Sequence, residues 1–331
     1  MTISRRSFIG ASAAGVLAAG LPAVRTWGDS AIDVPIGERY ITSYYQFTRE
    51  AFRTLAANTL PNGPEYLHIF VQSAADIRPH RDAVNLVHSG GESFKYGCAF
   101  DLHRYKWQDA SDDQLKAWAI EFRTAGLDAS ATCDYFAFNE MPDEAPAHPE
   151  IRQKVARLTR YLHSAGGGPT WRGVFYFTQK NLTPATWVGR SDELWEVIDE
   201  TCDLVVGERF EKLSFATRHS LPELANFFDV MPKFLAASGD PHQIRIARDK
   251  YAILHSTYYG TKSTNWAGLR SDQSSPAELK GYLEKLVTAT RMSEFGKRRI
   301  VFSPLDTMNL DSRMFGVLAE VIREDRCGKR N

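Results

Sequence analysis

Past residue 38, short runs rich in aromatic and β-branched residues alternate with longer stretches of helical periodicity. Such alternation predicts a parallel sheet, because each helix carries the chain back to the start of the next strand. The alternation occurs eight times, which predicts closure into a single-domain (β/α)8 TIM barrel of the α/β class. The predicted strands are Arg39–Gln46, Tyr66–Ser73, Lys95–His103, Asp134–Glu140, Gly173–Gln179, Leu204–Phe210, Tyr251–Tyr258 and Arg299–Asp306.

Helix signals support the same assignment. Ser111 precedes a helical pattern, and Ser275 is followed by a proline and then by Glu278, as is typical of capped helix N-termini. A doubly wound open sheet is the alternative, but no glycine-rich phosphate turn follows an early strand, and the triplet 166–168 instead ends a helix. The predicted helices are Thr48–Asn58, His80–His88, Asp112–Ala125, Pro149–Ser164, Ser191–Thr201, Leu221–Ala237, Pro276–Ser293 and Ser312–Glu324.

The N-terminal residues differ in character from the rest. Arg5 and Arg6, followed by Phe8, precede a weakly apolar stretch rich in alanine, and this pattern resembles a twin-arginine export signal. The resemblance implies a signal peptide at residues 1–31, a barrel at residues 32–331, the twin-arginine machinery as a partner, and a periplasmic or secreted protein. The apolar stretch is shorter than the roughly 20 residues that span a bilayer, so no stable membrane anchor is expected.

The composition and the motifs that the sequence lacks exclude several classes of function. The chain holds 40 basic and 40 acidic residues, so its formal net charge is zero and no nucleic acid partner is predicted. Three of the four cysteines fall in or beside apolar runs, which favours buried thiols over disulfides in a protein that folds before export. No serine-hydrolase elbow and no zinc-binding motif occurs in the sequence.

Polar residues end most of the predicted strands. In a (β/α)8 barrel the working groups lie at the carboxyl ends of the strands and in the loops that follow, so these residues are candidates for substrate contacts. Trp107, Trp187 and Trp266 occur in such loops and suit stacking against sugar rings. The predicted substrate contacts are Asp101, His103, Asn139, Gln179, His255, Tyr258, Trp266 and Asp306.

One motif closes the fourth predicted strand. The segment Asn139-Glu140-Met141-Pro142 resembles the Asn-Glu-x-Pro ending of strand four in retaining (β/α)8 glycoside hydrolases. The resemblance implies that Glu140 is the general acid/base, that Asn139 holds a sugar hydroxyl, and that the substrate is a carbohydrate. That family carries its nucleophile on strand seven, where this chain has no glutamate. Glu208, at the end of strand six, is the nearest replacement, with Asp101 and Asp306 as alternatives.

Two other functions remain open. Glu140, Glu208, His255 and Asp306 could surround a divalent metal, an arrangement similar to that of xylose-isomerase-like sugar isomerases and epimerases. The chain could also be a carbohydrate-binding barrel without activity. The preferred hypothesis is an exported glycoside hydrolase that uses Glu140 and Glu208 and requires neither a cofactor nor a metal.

Overall fold

The structure, a computed structural model, describes ten segments of the chain. All of them belong to one compact unit, Val34–Asn331. Within these segments no helix has the length and apolar character needed to cross a membrane. The expected signal peptide, the helices expected at 48–58 and 80–88, and Cys327 lie outside the described residues. The described segments are residues 39–43, 66–71, 95–101, 109–127, 133–139, 148–178, 192–209, 213–256, 275–303 and 312–326.

Each predicted strand run overlaps an observed strand. Consecutive strands pair in parallel, and the last pairs with the first, so the sheet is closed. The α/β class and the parallel sheet are therefore confirmed. The strands are β1 (Arg39–Ser43), β2 (Tyr66–Val71), β3 (Lys95–Asp101), β4 (Tyr135–Asn139), β5 (Arg172–Thr178), β6 (Cys202–Arg209), β7 (Tyr251–Ser256) and β8 (Ile300–Ser303).

Helices follow β3 and every later strand. They are α1 (Asp112–Gly126), α2 (Pro149–Ser164), α3 (Glu193–Thr201), α4 (Leu213–Arg218), α5 (Leu221–Phe228), α6 (Val230–Ala236), α7 (Pro241–Arg245), a π-helix (Ile246–Lys250), α8 (Pro276–Met292), a 3-10 helix (Gly296–Arg298) and α9 (Ser312–Arg326). Ser111 caps α1 together with Gln114, and Ser275 caps α8 together with Glu278. Both predicted N-termini are confirmed. Residues 166–168, which follow α2, all adopt positive φ, so this glycine triplet does end a helix.

The single helix predicted at 221–237 is wrong, since α5 and α6 are separate helices that meet at Asp229. Pro232 lacks the backbone N–H that would bond to the carbonyl of Phe228 in a continuous helix. The Asp229 carboxylate instead accepts hydrogen bonds from the backbone N–H groups of Glu294 and Phe295, at 2.7 and 3.0 Å. Asp229 therefore joins the α5–α6 break to the segment after α8.

The two faces of the sheet bury different sets of side chains. Alternate residues on the outer face, including Phe175, Val205 and Ile253, pack in a large cluster with the helices. The inner face carries a second cluster, and the two-residue alternation of a strand assigns each position to one face or the other. The inner cluster consists of Tyr135, Ala137, Val174, Tyr176, Leu204, Val206, Ala252, Leu254 and Val301.

Cys98, Cys133 and Cys202 are fully buried thiols. Burial raises the pKa of the Cys202 thiol to about 12. A thiol with that pKa is protonated at neutral pH and is a poor nucleophile. Cys202 therefore acts as a small apolar side chain at the start of β6.

Candidate functional site

Glu208 is an acidic residue that lies on the inner face of the sheet. Leu204 and Val206 belong to the inner cluster, and Glu208 is the next residue of the same alternation. Its side chain is buried, with 1% of the residue exposed. It lies near the carboxyl end of β6, which is the end where barrel enzymes hold their working groups.

The neighbours of Glu208 follow from strand register. Its Cα partner on β5 is Thr178, and its Cα partner on β7 is Leu254. One step deeper on the inner face, Val206 pairs with Tyr176 and with Ala252. The residues one step deeper on the inner face than Glu208 are therefore largely apolar. The residue beside Glu208 on β5 is Thr178.

Asp101 and Asn139 end adjacent strands. They are Cα partners, as the last residues of β3 and β4. Asn139 continues the alternation of Tyr135 and Ala137, both of which belong to the inner cluster. The two predicted substrate contacts are thus brought together at the same rim of the sheet as Glu208.

The prediction for His255 is wrong, because this residue is on the outer face of β7. It follows Tyr251 and Ile253 in alternation, and both of these pack against the helices. Its Nε2 atom is 2.6 Å from the hydroxyl of Thr290 on α8, and its ring packs edge-on against Phe228 at 5.0 Å. With 0% of its surface exposed, His255 is a structural residue between sheet and helices.

This correction also removes the predicted metal site in its original form. That site required His255 to face the same space as Glu208, but the two residues lie on opposite faces of the sheet. Within the described segments no group of three or more His, Cys, Asp or Glu residues is arranged to hold a metal ion. The metal-dependent isomerase hypothesis has therefore lost its one nitrogen ligand.

The remaining predicted site residues stay predictions. They fall in segments that follow strand ends and that lie outside the described residues. These residues are Glu140, His103, Gln179, Tyr258, Trp266 and Asp306, together with Trp107 and Trp187.

Sequence reasoning missed three hydroxyl residues at the ends of the later strands. Thr178 is the register partner of Glu208, and Ser256 and Ser303 are partners of each other at the ends of β7 and β8. In sequence, each lies two residues beyond a member of the inner cluster on the same strand, namely Tyr176, Leu254 and Val301. The two-residue alternation of a strand was the signal in the sequence that could have identified them, because each follows an inner-cluster residue at a spacing of two.

Comparisons with known proteins agree with this architecture. No protein-family model matches the chain, and no curated protein matches it in sequence. The solved structures that are similar in fold include three glycoside hydrolases. A GH18 chitinase from Pseudoalteromonas aurantia has a TM-score of 0.55 at 9% identity, covering 85% of this chain and 99% of its own. A GH113 β-1,4-mannanase has a TM-score of 0.51 at 11% identity, covering 89% and 99%. The catalytic domain of a β-amylase from Paenibacillus polymyxa has a TM-score of 0.50 at 7% identity, covering 89% and 98%.

Proposed function

We propose that the chain is a glycoside hydrolase on a complete (β/α)8 barrel, and that it cleaves an oligo- or polysaccharide by carboxylate general acid/base catalysis. One observation carries this proposal. Glu208 is a buried carboxylic acid on the inner face of the sheet, near the carboxyl end of β6. Helices between β1 and β2 and between β2 and β3 complete the proposed barrel.

The chemistry needs two carboxyl groups. Glycosidic cleavage uses one protonated carboxyl beside the leaving oxygen and a second carboxylate about 5–9.5 Å away, as nucleophile or as base for water. Glu140 directly follows β4, and only β5 separates β4 from β6. We assign Glu140 as the proton donor and Glu208 as its partner carboxylate.

The other predicted residues take supporting roles in this proposal. Asn139 and Asp101, which end adjacent strands, bind sugar hydroxyls at the rim. His103, Gln179, Tyr258 and Asp306 contribute further polar contacts, and Trp266 stacks against a sugar ring. His255 has no role in substrate binding. No metal or cofactor takes part in the proposed reaction.

The similar structures support a carbohydrate substrate. By name, the three are a chitinase, a β-1,4-mannanase and a β-amylase. Their likeness to this chain is one of fold, and it is compatible with a polysaccharide or oligosaccharide at the rim of the sheet.

The test is to incubate the protein with a panel of α- and β-linked oligosaccharides and polysaccharides. Turnover is measured as the release of reducing ends. We expect Glu208→Gln and Glu140→Gln each to lower kcat by at least about 100-fold, because each loses a group that transfers a proton or stabilises charge. Glu200→Gln, at an exposed glutamate of α3, is the matched control and keeps full activity. Full activity of Glu208→Gln contradicts the proposal. Tight oligosaccharide binding without turnover by the wild-type chain favours the non-catalytic barrel instead.

We also propose export through the twin-arginine route, on the basis of Arg5, Arg6 and the apolar stretch that follows. Replacing both arginines with lysine is expected to keep the precursor in the cytoplasm, as judged by cell fractionation and immunoblotting. Periplasmic mature protein from this double variant contradicts the assignment.

A further inference from the structure

Cys98 and Cys133 form a pair of buried thiols between the sheet and the helices. Cys98 lies on β3, and Cys133 lies two residues before the start of the neighbouring strand β4. Both residues have 0% of their surface exposed, and their side chains share a hydrogen bond. The two sulfur atoms are therefore in contact, and both cysteines are free thiols in the structure.

The backbone at both cysteines is held in place. The N–H of Cys133 donates to the carbonyl of Gly126, the last residue of α1, at 2.6 Å. The carbonyl of Cys133 accepts a hydrogen bond from Trp171 Nε1 at 3.0 Å. Cys98 is held on β3 by its pairing with Phe136 of β4. The remaining step to a disulfide is to bring the two sulfur atoms from contact to a bond length of about 2.05 Å.

Cys202, the third buried thiol, has a different polar neighbour. Its sulfur is 3.5 Å from the hydroxyl of Thr201, and burial is the main cause of the rise in its pKa. For Cys98, the hydrogen bond with Cys133 is the main cause of the raised pKa, and burial comes second. Cys98 and Cys133 are therefore a specific pair, and Cys202 serves as its control.

We propose that Cys98 and Cys133 are a modification site, at which an oxidising disulfide compound converts the two thiols into a disulfide that links β3 to the segment before β4 and stabilises the fold. One thiolate attacks the S–S bond of the oxidant, forming a mixed disulfide and releasing one thiol. The second thiolate attacks the protein sulfur of the mixed disulfide and releases the other thiol. Two electrons and two protons pass from the pair to the oxidant.

The compartment sets the redox state of such a pair. Thiols stay reduced in a bacterial cytoplasm, whereas the periplasm is oxidising. With the export proposed above, the chain folds with both thiols reduced and meets an oxidant only afterwards. Burial and the raised pKa of Cys98 make the reaction slow, because the thiolate is the reactive form. The disulfide is independent of the proposed hydrolysis.

The experiment treats the reduced full chain with oxidised glutathione near the usual thiol pKa of about 8.5. Cys327→Ser is the background, because it leaves the three buried thiols as the only cysteines. The reaction is run in buffer and in urea below the unfolding transition, so that burial alone does not prevent it. We expect the number of free thiols to fall from three to one. Peptide mapping without reductant is expected to find Cys98 joined to Cys133.

Variants of each thiol identify the pair. We expect Cys98→Ala and Cys133→Ala each to lose the linkage and Cys202→Ala to keep it. The Cys202→Ala result decides the linkage by itself, because it leaves both members of the pair in place. Three thiols remaining under both conditions, or a linkage to Cys202, overturns the proposed site.

The stabilising role has its own measurement. The disulfide closes a loop that contains α1 and so restricts the unfolded chain. We expect the Tm of the oxidised protein to exceed that of the reduced protein by about 5 °C or more. A Cys98–Cys133 linkage without a rise in Tm overturns the stabilising role.

Discussion

At the scale of single residues, the sequence predicted which residues lie near the strand ends. It did not predict whether each side chain lies on the inner or the outer face of the sheet. Both faces of β6 and β7 are apolar, because one packs against the helices and the other fills the interior. A strand buried on both sides shows no polar alternation, and a one-residue error moves a side chain to the opposite face. This is why Glu208 proved to be inside while His255, chosen by the same reasoning, proved to be outside.

The structural role assigned to His255 gives a prediction at this scale. The Thr290 hydroxyl donates to the carbonyl of Leu286 at 2.8 Å, so it accepts the hydrogen bond from His255 Nε2 at 2.6 Å. Thr290→Val removes that acceptor inside the core. We expect a loss of about 1–3 kcal/mol in the free energy of unfolding, measured by urea denaturation, with kcat unchanged.

Thr288→Val is the matched control on the same helix. Thr288 is half-buried, and its hydroxyl donates to the carbonyl of Glu284 at 2.7 Å. Its replacement is expected to cost less than about 0.5 kcal/mol. Equal destabilisation by the two variants contradicts the role given to the His255–Thr290 contact.

At the scale of elements, long capped helices were predictable and short ones were not. The N-termini of α1 and α8 carry capping boxes that are visible in the sequence. The connection from β6 to β7 was predicted to hold one helix but holds α4 to α7 and a π-helix, none longer than eight residues. Helices this short contain too few turns for a periodic pattern, and tertiary contacts such as those of Asp229 set their ends.

A cluster of charged side chains joins α3, α7 and the π-helix. It predicts how the stability of the fold depends on pH. The Asp199 carboxylate on α3 is 2.7 Å from Arg245 Nε, 3.1 Å from His242 Nδ1 and 3.2 Å from Lys250 Nζ. Burial raises the pKa of Asp199, but the hydrogen bonds from Arg245 and His242 and the charge of Lys250 outweigh burial and lower it. The cluster therefore stabilises the fold while Asp199 is ionised.

Because the pKa of Asp199 is lower in the folded than in the unfolded chain, its contribution is complete above about pH 5 and is lost as the pH falls through the folded value. We expect the free energy of unfolding of the wild type to fall more steeply between about pH 5 and pH 2 than that of Asp199→Asn. Asp203→Asn, at an exposed aspartate, serves as the control. Parallel pH curves for the wild type and Asp199→Asn contradict this account.

At the scale of the whole molecule, the strand–helix alternation was sufficient to predict a parallel sheet that closes. The sequence also located the rim, because polar residues such as Asp101 and Asn139 end the strands. It could not predict the positions of residues beyond the strand ends, such as 141–147 and 257–274, because the sequence there shows neither helical nor strand periodicity. One member of the proposed carboxylate pair, Glu140, directly follows β4 and lies outside the described residues.

The distance between the carboxyl carbons of Glu140 and Glu208 in a crystal structure tests the central claim most directly. We predict about 5–9.5 Å across an open cleft, with about 5–5.5 Å indicating retention and about 6.5–9.5 Å indicating inversion of the anomeric configuration. A separation well beyond about 10 Å, or a Glu140 side chain directed away from the rim, contradicts the carboxylate pair and with it the proposed hydrolysis.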